Sequence, residues 1–112
     1  MNLDWVKNLS AAITVCDMNG IIIYMNDKAA KSFEDEGGYK LIGTSLFDCH
    51  SEQSNKIINE LLREGKNNSY TIEKKGVKKM IYQTPWYENE IVMGLVEIVF
   101  EIPFDLPHHI RS

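Results

Sequence analysis

Apolar residues along this chain change their spacing three times, and the changes divide it into helical and extended stretches. Leu3, Val6 and Leu9 recur at helical intervals, with Trp5 beside them and Asn2 as a cap, so residues 2–10 read as a short amphipathic helix. Apolar and β-branched residues then dominate 12–17 and 20–25, which read as two strands. Asp17, Asn19 and Gly20 lie between them and supply a tight turn, because short polar side chains bond nearby backbone and glycine accepts positive φ. Asn26 or Asp27 then caps a helix whose apolar face holds Ala29, Ala30 and Phe33. Glu34-Asp35-Glu36-Gly37-Gly38 ends that helix, with acids at the end its dipole disfavours.

Tyr39 to Gly43 reads as one helical turn, and Thr44 to His50 leads into a longer helix capped by Ser51 or Ser54. Ile57, Ile58, Leu61 and Leu62 give that helix one apolar side, and Gly65 stops it. The remainder is extended: a strand at 69–73, a hairpin turn at Lys74-Lys75-Gly76, a long strand at 77–87, a turn at Glu88-Asn89-Glu90 and a last strand at 91–102. The short links require antiparallel pairing, since parallel neighbours need long crossovers. Pro103 and Pro107 take the tail at 104–112 out of the sheet, and this reads as a natural finish to the chain.

Both sides of the last strand are apolar. Val92, Val96, Ile98, Phe100 and Ile102 share one side; Ile91, Met93, Leu95 and Val99 share the other, interrupted by Glu97 and Glu101. One side faces the core. The other is too apolar for a wet sheet face, so the first helix or a second copy of the chain is expected to cover it.

At 112 residues the chain holds one domain with one core. The division expected is a helix at 1–10, a domain at 11–103 and a tail at 104–112. A net charge of −4 argues against nucleic acid as a partner, because phosphate binding needs a basic face. No segment is long and apolar enough for a membrane span, and the amino terminus lacks the layout of a secretion signal, so a cytoplasmic place is expected. Two cysteines, Cys16 and Cys49, fit a reducing compartment, with Cys16 read as a small buried residue.

Asp17-x-x-Gly20, then Asn26, then Leu41-Ile42-Gly43 leading to Leu46, together resemble the motifs of a PAS domain, and the element order follows the same layout over nearly the whole chain. The resemblance implies an α+β fold: a five-stranded antiparallel sheet in the spatial order 2-1-5-4-3 with helices packed on one face. It implies a sensory or docking role, in a free-standing protein or a piece of a bacterial sensor, without enzymatic activity. Such domains hold a small molecule between sheet and helices, with haem, flavins and organic acids among known occupants, or hold nothing and serve as dimerisation scaffolds. A homodimer, a small-molecule ligand and a signalling protein are the partners implied. No cofactor is named by the sequence.

Four residues are candidates for ligand contact. In Cys49-His50 a thiolate stands next to an imidazole, a pair able to ligate haem iron or zinc, and haem-binding relatives place a histidine ligand on a helix in mid-fold. His50 is thus the one candidate metal ligand. The plainer reading is a helix-entry loop with Cys49 buried, because the pair lacks both the four-ligand pattern of structural zinc and the covalent haem motif. It also lacks the Asn-Cys-Arg-Phe-Leu context of the photoactive flavin-binding members, and neighbouring residues seldom form a catalytic dyad. In Tyr82-Gln83-Thr84-Pro85-Trp86-Tyr87, Tyr82 and Trp86 are candidate pocket liners, against the plainer reading of aromatic packing. Pro85 requires an edge or a bulge nearby. His108 and His109 read as part of a solvated or dimer-docked tail.

Overall fold

The computed structural model describes residues 4–49 and 51–112. Five strands form one sheet: β1 (Ala12–Asp17), β2 (Ile22–Met25), β3 (Asn68–Lys74), β4 (Val77–Glu88) and β5 (Ile91–Ile102). Their order is β2-β1-β5-β4-β3, and every neighbouring pair is antiparallel. The helices are α1 (Asp4–Lys7), α2 (Asp27–Ser32) and α3 (Glu52–Glu64), and three turns of 3₁₀ helix fill the run between α2 and α3.

Local chemistry sets most boundaries. Asp17 Oδ1 accepts from the amides of Asn19 and Ile21 at 2.9 and 3.0 Å, closing the first turn. Gly20 completes it at φ +79, and a Cβ there would stand 2.3 Å from the Phe47 ring, so only glycine fits. The loops at Lys75-Gly76 and Asn89-Glu90 have positive φ at both central residues, the twist that two-residue hairpins need. Ser51 caps α3 by accepting from the Ser54 amide, and Gly65 ends it in the left-handed conformation.

One side chain ties these elements together. Asn26 is wholly buried. Its Oδ1 accepts from Ile13 and Ala29 amides at 2.9 and 3.1 Å, fixing β1 and the first turn of α2. Its Nδ2 donates to the carbonyls of Val6 and Ala11 at 3.0 and 2.8 Å, holding the segment before β1. This explains why α1 is a single turn within the described residues, shorter than the 2–10 helix expected. A longer helix would need the Val6 carbonyl for the Ser10 amide; Asn26 and the Leu9 amide occupy it instead.

The core lies between the sheet and the helices. Cys16, Ile22, Met25, Leu41, Leu46 and Leu95 meet Ile58, Leu61 and Leu62 of α3. In β4 the buried residues are Ile81, Gln83 and Pro85, so Met80, Tyr82, Thr84 and Trp86 point to the other side. Pro85 is tolerated because β3 begins at Asn68, opposite Gln83, and β4 runs past it with one flank unpaired. The bulge follows between Trp86 and Tyr87.

Replacing Asn26 by alanine removes four hydrogen bonds at once, those to the Ile13 and Ala29 amides and to the Val6 and Ala11 carbonyls. We expect Asn26→Ala to lower the folding free energy by about 3 kcal/mol or more in urea titrations, given about 1 kcal/mol for each buried hydrogen bond lost.

Candidate functional site

The concave face of the sheet carries one polar row between two apolar rows. Met25, Thr14, Glu97, Gln83 and Asn68 are successive cross-strand partners through all five strands. On one flank stand Cys16, Leu95 and Pro85; on the other, Ala12, Val99, Ile81 and Tyr70. Three of its members are linked by side-chain hydrogen bonds. Asn68 Nδ2 donates to Gln83 Oε1 at 3.0 Å, and Gln83 Nε2 donates to Glu97 Oε2 at 2.8 Å. A carboxylate is only an acceptor, so it fixes the orientation of the Gln83 amide and, through that, of Asn68.

Above the row lies a small chamber of about 40 Å³, walled by Met25, Phe33, Leu41, Leu46, Ile58 and Leu95 and floored by Thr14, Glu97 and Gln83. Ile58 and Gln83 also border a larger vestibule of about 430 Å³, which opens between the first turns of α3 and strand β3 and is lined by Ser51, Ser54, Ile57, Asn68 and Tyr70. Ile57, expected in the buried stripe of α3, is 39% exposed and forms part of that vestibule. Chamber and vestibule together have the character of a small-molecule site: apolar walls with a few convergent polar groups.

Two titrating groups report on this environment. Burial pushes the Cys16 thiol up to about 11. The Tyr70 hydroxyl is also raised, first by burial and then by the Glu97 charge, which places that charge within its reach.

The four expected contact residues fall as follows. Tyr82 and Trp86 stand on the convex side of the sheet, away from the chamber. The Trp86 indole lies over Gly94 and donates to the Cys16 carbonyl at 3.1 Å; a Cβ on Gly94 would come within 2.6 Å of Trp86 Nε1 and 1.9 Å of that carbonyl. Cys49 ends the third 3₁₀ turn, and its backbone alone is described. His50 lies outside the described residues. Among the described residues no three metal-ligating side chains cluster. Gln83, Glu97 and Asn68 were not singled out from sequence. Their signal is a polar residue in the inward phase of a strand, and it becomes visible only once the inward phase is known.

The fold has clear relatives among solved structures. A PAS domain of the histidine kinase ThkA is 16% identical, with 80% of this chain and 97% of that one aligned at a TM-score of 0.67. A Vibrio cholera VqmA–ligand–DNA complex is 14% identical, with 89% of this chain aligned to 50% of that one at 0.72. A C-terminal domain from Streptococcus mutans is 20% identical, covering 86% and 78% at 0.69. This chain therefore spans about half the length of VqmA. No protein-family model and no curated protein matches the chain. The chain has the PAS fold, as its motifs led us to expect, and no helix among the described residues is long and apolar enough to cross a membrane.

The raised thiol gives a pH test. Cys16 ionises near 9.0 when unfolded and near 11 when folded, so its stabilising effect is complete below pH 9 and is lost as pH rises towards 11. Over that window we expect the wild type to lose up to roughly 3 kcal/mol more than Cys16→Ala in urea titrations, at about 1.4 kcal/mol for each pH unit.

Proposed function

We propose that the chain is a PAS-type sensory module that admits a small molecule between its sheet and its helices and reports occupancy by altered contacts with a partner. The observation that carries this reading is the polar row beneath the chamber: Thr14, Glu97 and Gln83 line a space that is otherwise apolar. The bonded row and its apolar walls offer both orientation and burial to a ligand. Transmission has a short route. Met25 walls the chamber, and the next residue, Asn26, holds the Val6 and Ala11 carbonyls of the amino-terminal segment. A ligand that displaces Met25 thereby bears on that segment, and the response follows from its unequal affinity for the two arrangements. The module signals by contact, without chemistry of its own, in a bacterial cytoplasm and as a homodimer.

A second reading, a ligand-free dimerisation scaffold, draws on the small size of the inner chamber, about 40 Å³, and on the convex face, where Phe100 is 41% exposed beside Ile98 and Val96. Native mass spectrometry of the gently purified chain separates the two. The sensory reading expects a bound small molecule that collisional activation releases. A chain that flies only as a bare dimer, and whose chamber-lining methyl NMR signals stay unmoved by a library of small amines, alcohols and acids, would leave the scaffold.

A further inference from the structure

The polar row has a direction, and the direction selects a ligand. Glu97 holds the Gln83 amide with its nitrogen towards the carboxylate, so the Gln83 oxygen is taken by Asn68 and its nitrogen by Glu97. One N–H each of Asn68 and Gln83 is engaged within the row. The charged group at the chamber is Glu97, an acceptor-only carboxylate whose Oε2 takes one N–H of Gln83 and which keeps acceptor capacity for a ligand. Among the described residues the ion pair recorded is Lys66–Glu64, on the surface, and no lysine, arginine or histidine lines either space. Glu97 thus presents a carboxylate charge at an apolar chamber with a neutral amide as its hydrogen-bonding neighbour.

Resting on the reading of this site as a ligand pocket, we propose that its ligand is a small apolar molecule bearing a cationic amine, amidine or protonated nitrogen heterocycle, whose N–H meets the free oxygen of Glu97, and that carboxylates and phosphates are refused. The walls fit the apolar body: Phe33, Leu41, Leu46, Ile58 and Leu95 offer no hydrogen-bonding side chain. The carboxylate fits the head, since an ionised acceptor bonds a charged donor about twice as strongly as a neutral pair does. An anionic head would meet a like charge, with no lysine, arginine or histidine lining the space among the described residues. Thr14, the cross-strand partner of Glu97, also lines the chamber and has a hydroxyl able to accept a second N–H from the same head.

The test uses the whole chain and three probes of one shape: benzamidine, benzoate and toluene. Binding is followed by methyl NMR shifts of Met25, Ile58 and Leu95 and by thermal melting. We expect benzamidine to move those methyls and raise the melting temperature, toluene to bind more weakly, and benzoate to leave both unchanged. In Glu97→Gln, benzamidine affinity should fall about tenfold or more while toluene affinity holds. Benzoate binding as tightly as benzamidine overturns the ligand class and leaves the pocket reading intact. Silence of the chamber methyls towards all three probes overturns the pocket reading as well. The wild-type ranking decides the matter alone if Glu97→Gln does not fold.

Discussion

Four hydrogen bonds on one buried amide hold this fold in register. Asn26 closes the chain segment before β1 onto the end of β2, starts α2 and fixes Ile13, so the sheet edge, the first core helix and the amino-terminal segment share one anchor. An asparagine is suited to the position because it presents an acceptor with two lone pairs and two N–H donors in one plane. Aspartate would bring charge against two carbonyls, and an apolar residue would make none of the four hydrogen bonds. The residue before it, Met25, belongs to the chamber wall, so the anchor and the chamber adjoin through one peptide bond.

The second constraint is the row that crosses the sheet. Antiparallel register brings Thr14, Glu97, Gln83 and Asn68 side by side from four strands that lie far apart in sequence. Asn68, Gln83 and Glu97 are joined by side-chain hydrogen bonds, and apolar rows flank them. Strand β5 sits at the centre of the sheet, so Glu97 comes to lie at the middle of the concave face.

Much of this was legible where local chemistry decides. The Asp17–Gly20 turn, the cap at Asn26, the stop at Gly65 and both hairpins follow from residues that bond or bend their own neighbourhood. The strand order came from the motif resemblance and stands in the structure. The facing of β4 and β5 was not legible, because both of their sides are apolar and alternation alone does not say which side is inward. Tyr82 and Trp86 drew attention for their size, yet the buried phase belongs to Ile81, Gln83 and Pro85. The first helix was read as longer than its described single turn, because the group that claims the Val6 carbonyl lies 20 residues away.

A sheet face packed only for stability has little use for Gln83 and Glu97. Covering a polar amide and a carboxylate costs free energy that hydrogen bonds between them recover only in part, and apolar side chains of like volume commonly give equal or greater stability. Tyr70 shows that the Glu97 charge is felt on the concave face, since that charge adds to the rise of its hydroxyl. The flanking rows prove that apolar residues fit the same surface: Cys16, Leu95 and Ile81 are buried there within one register step of the polar row. The departure from apolar packing is thus confined to one row, at the floor of the chamber and beside its opening. Departures of that kind, confined to one place, are expected at functional sites. On the reading proposed above, the acceptor left over at Glu97 gives the row a use that packing alone does not supply.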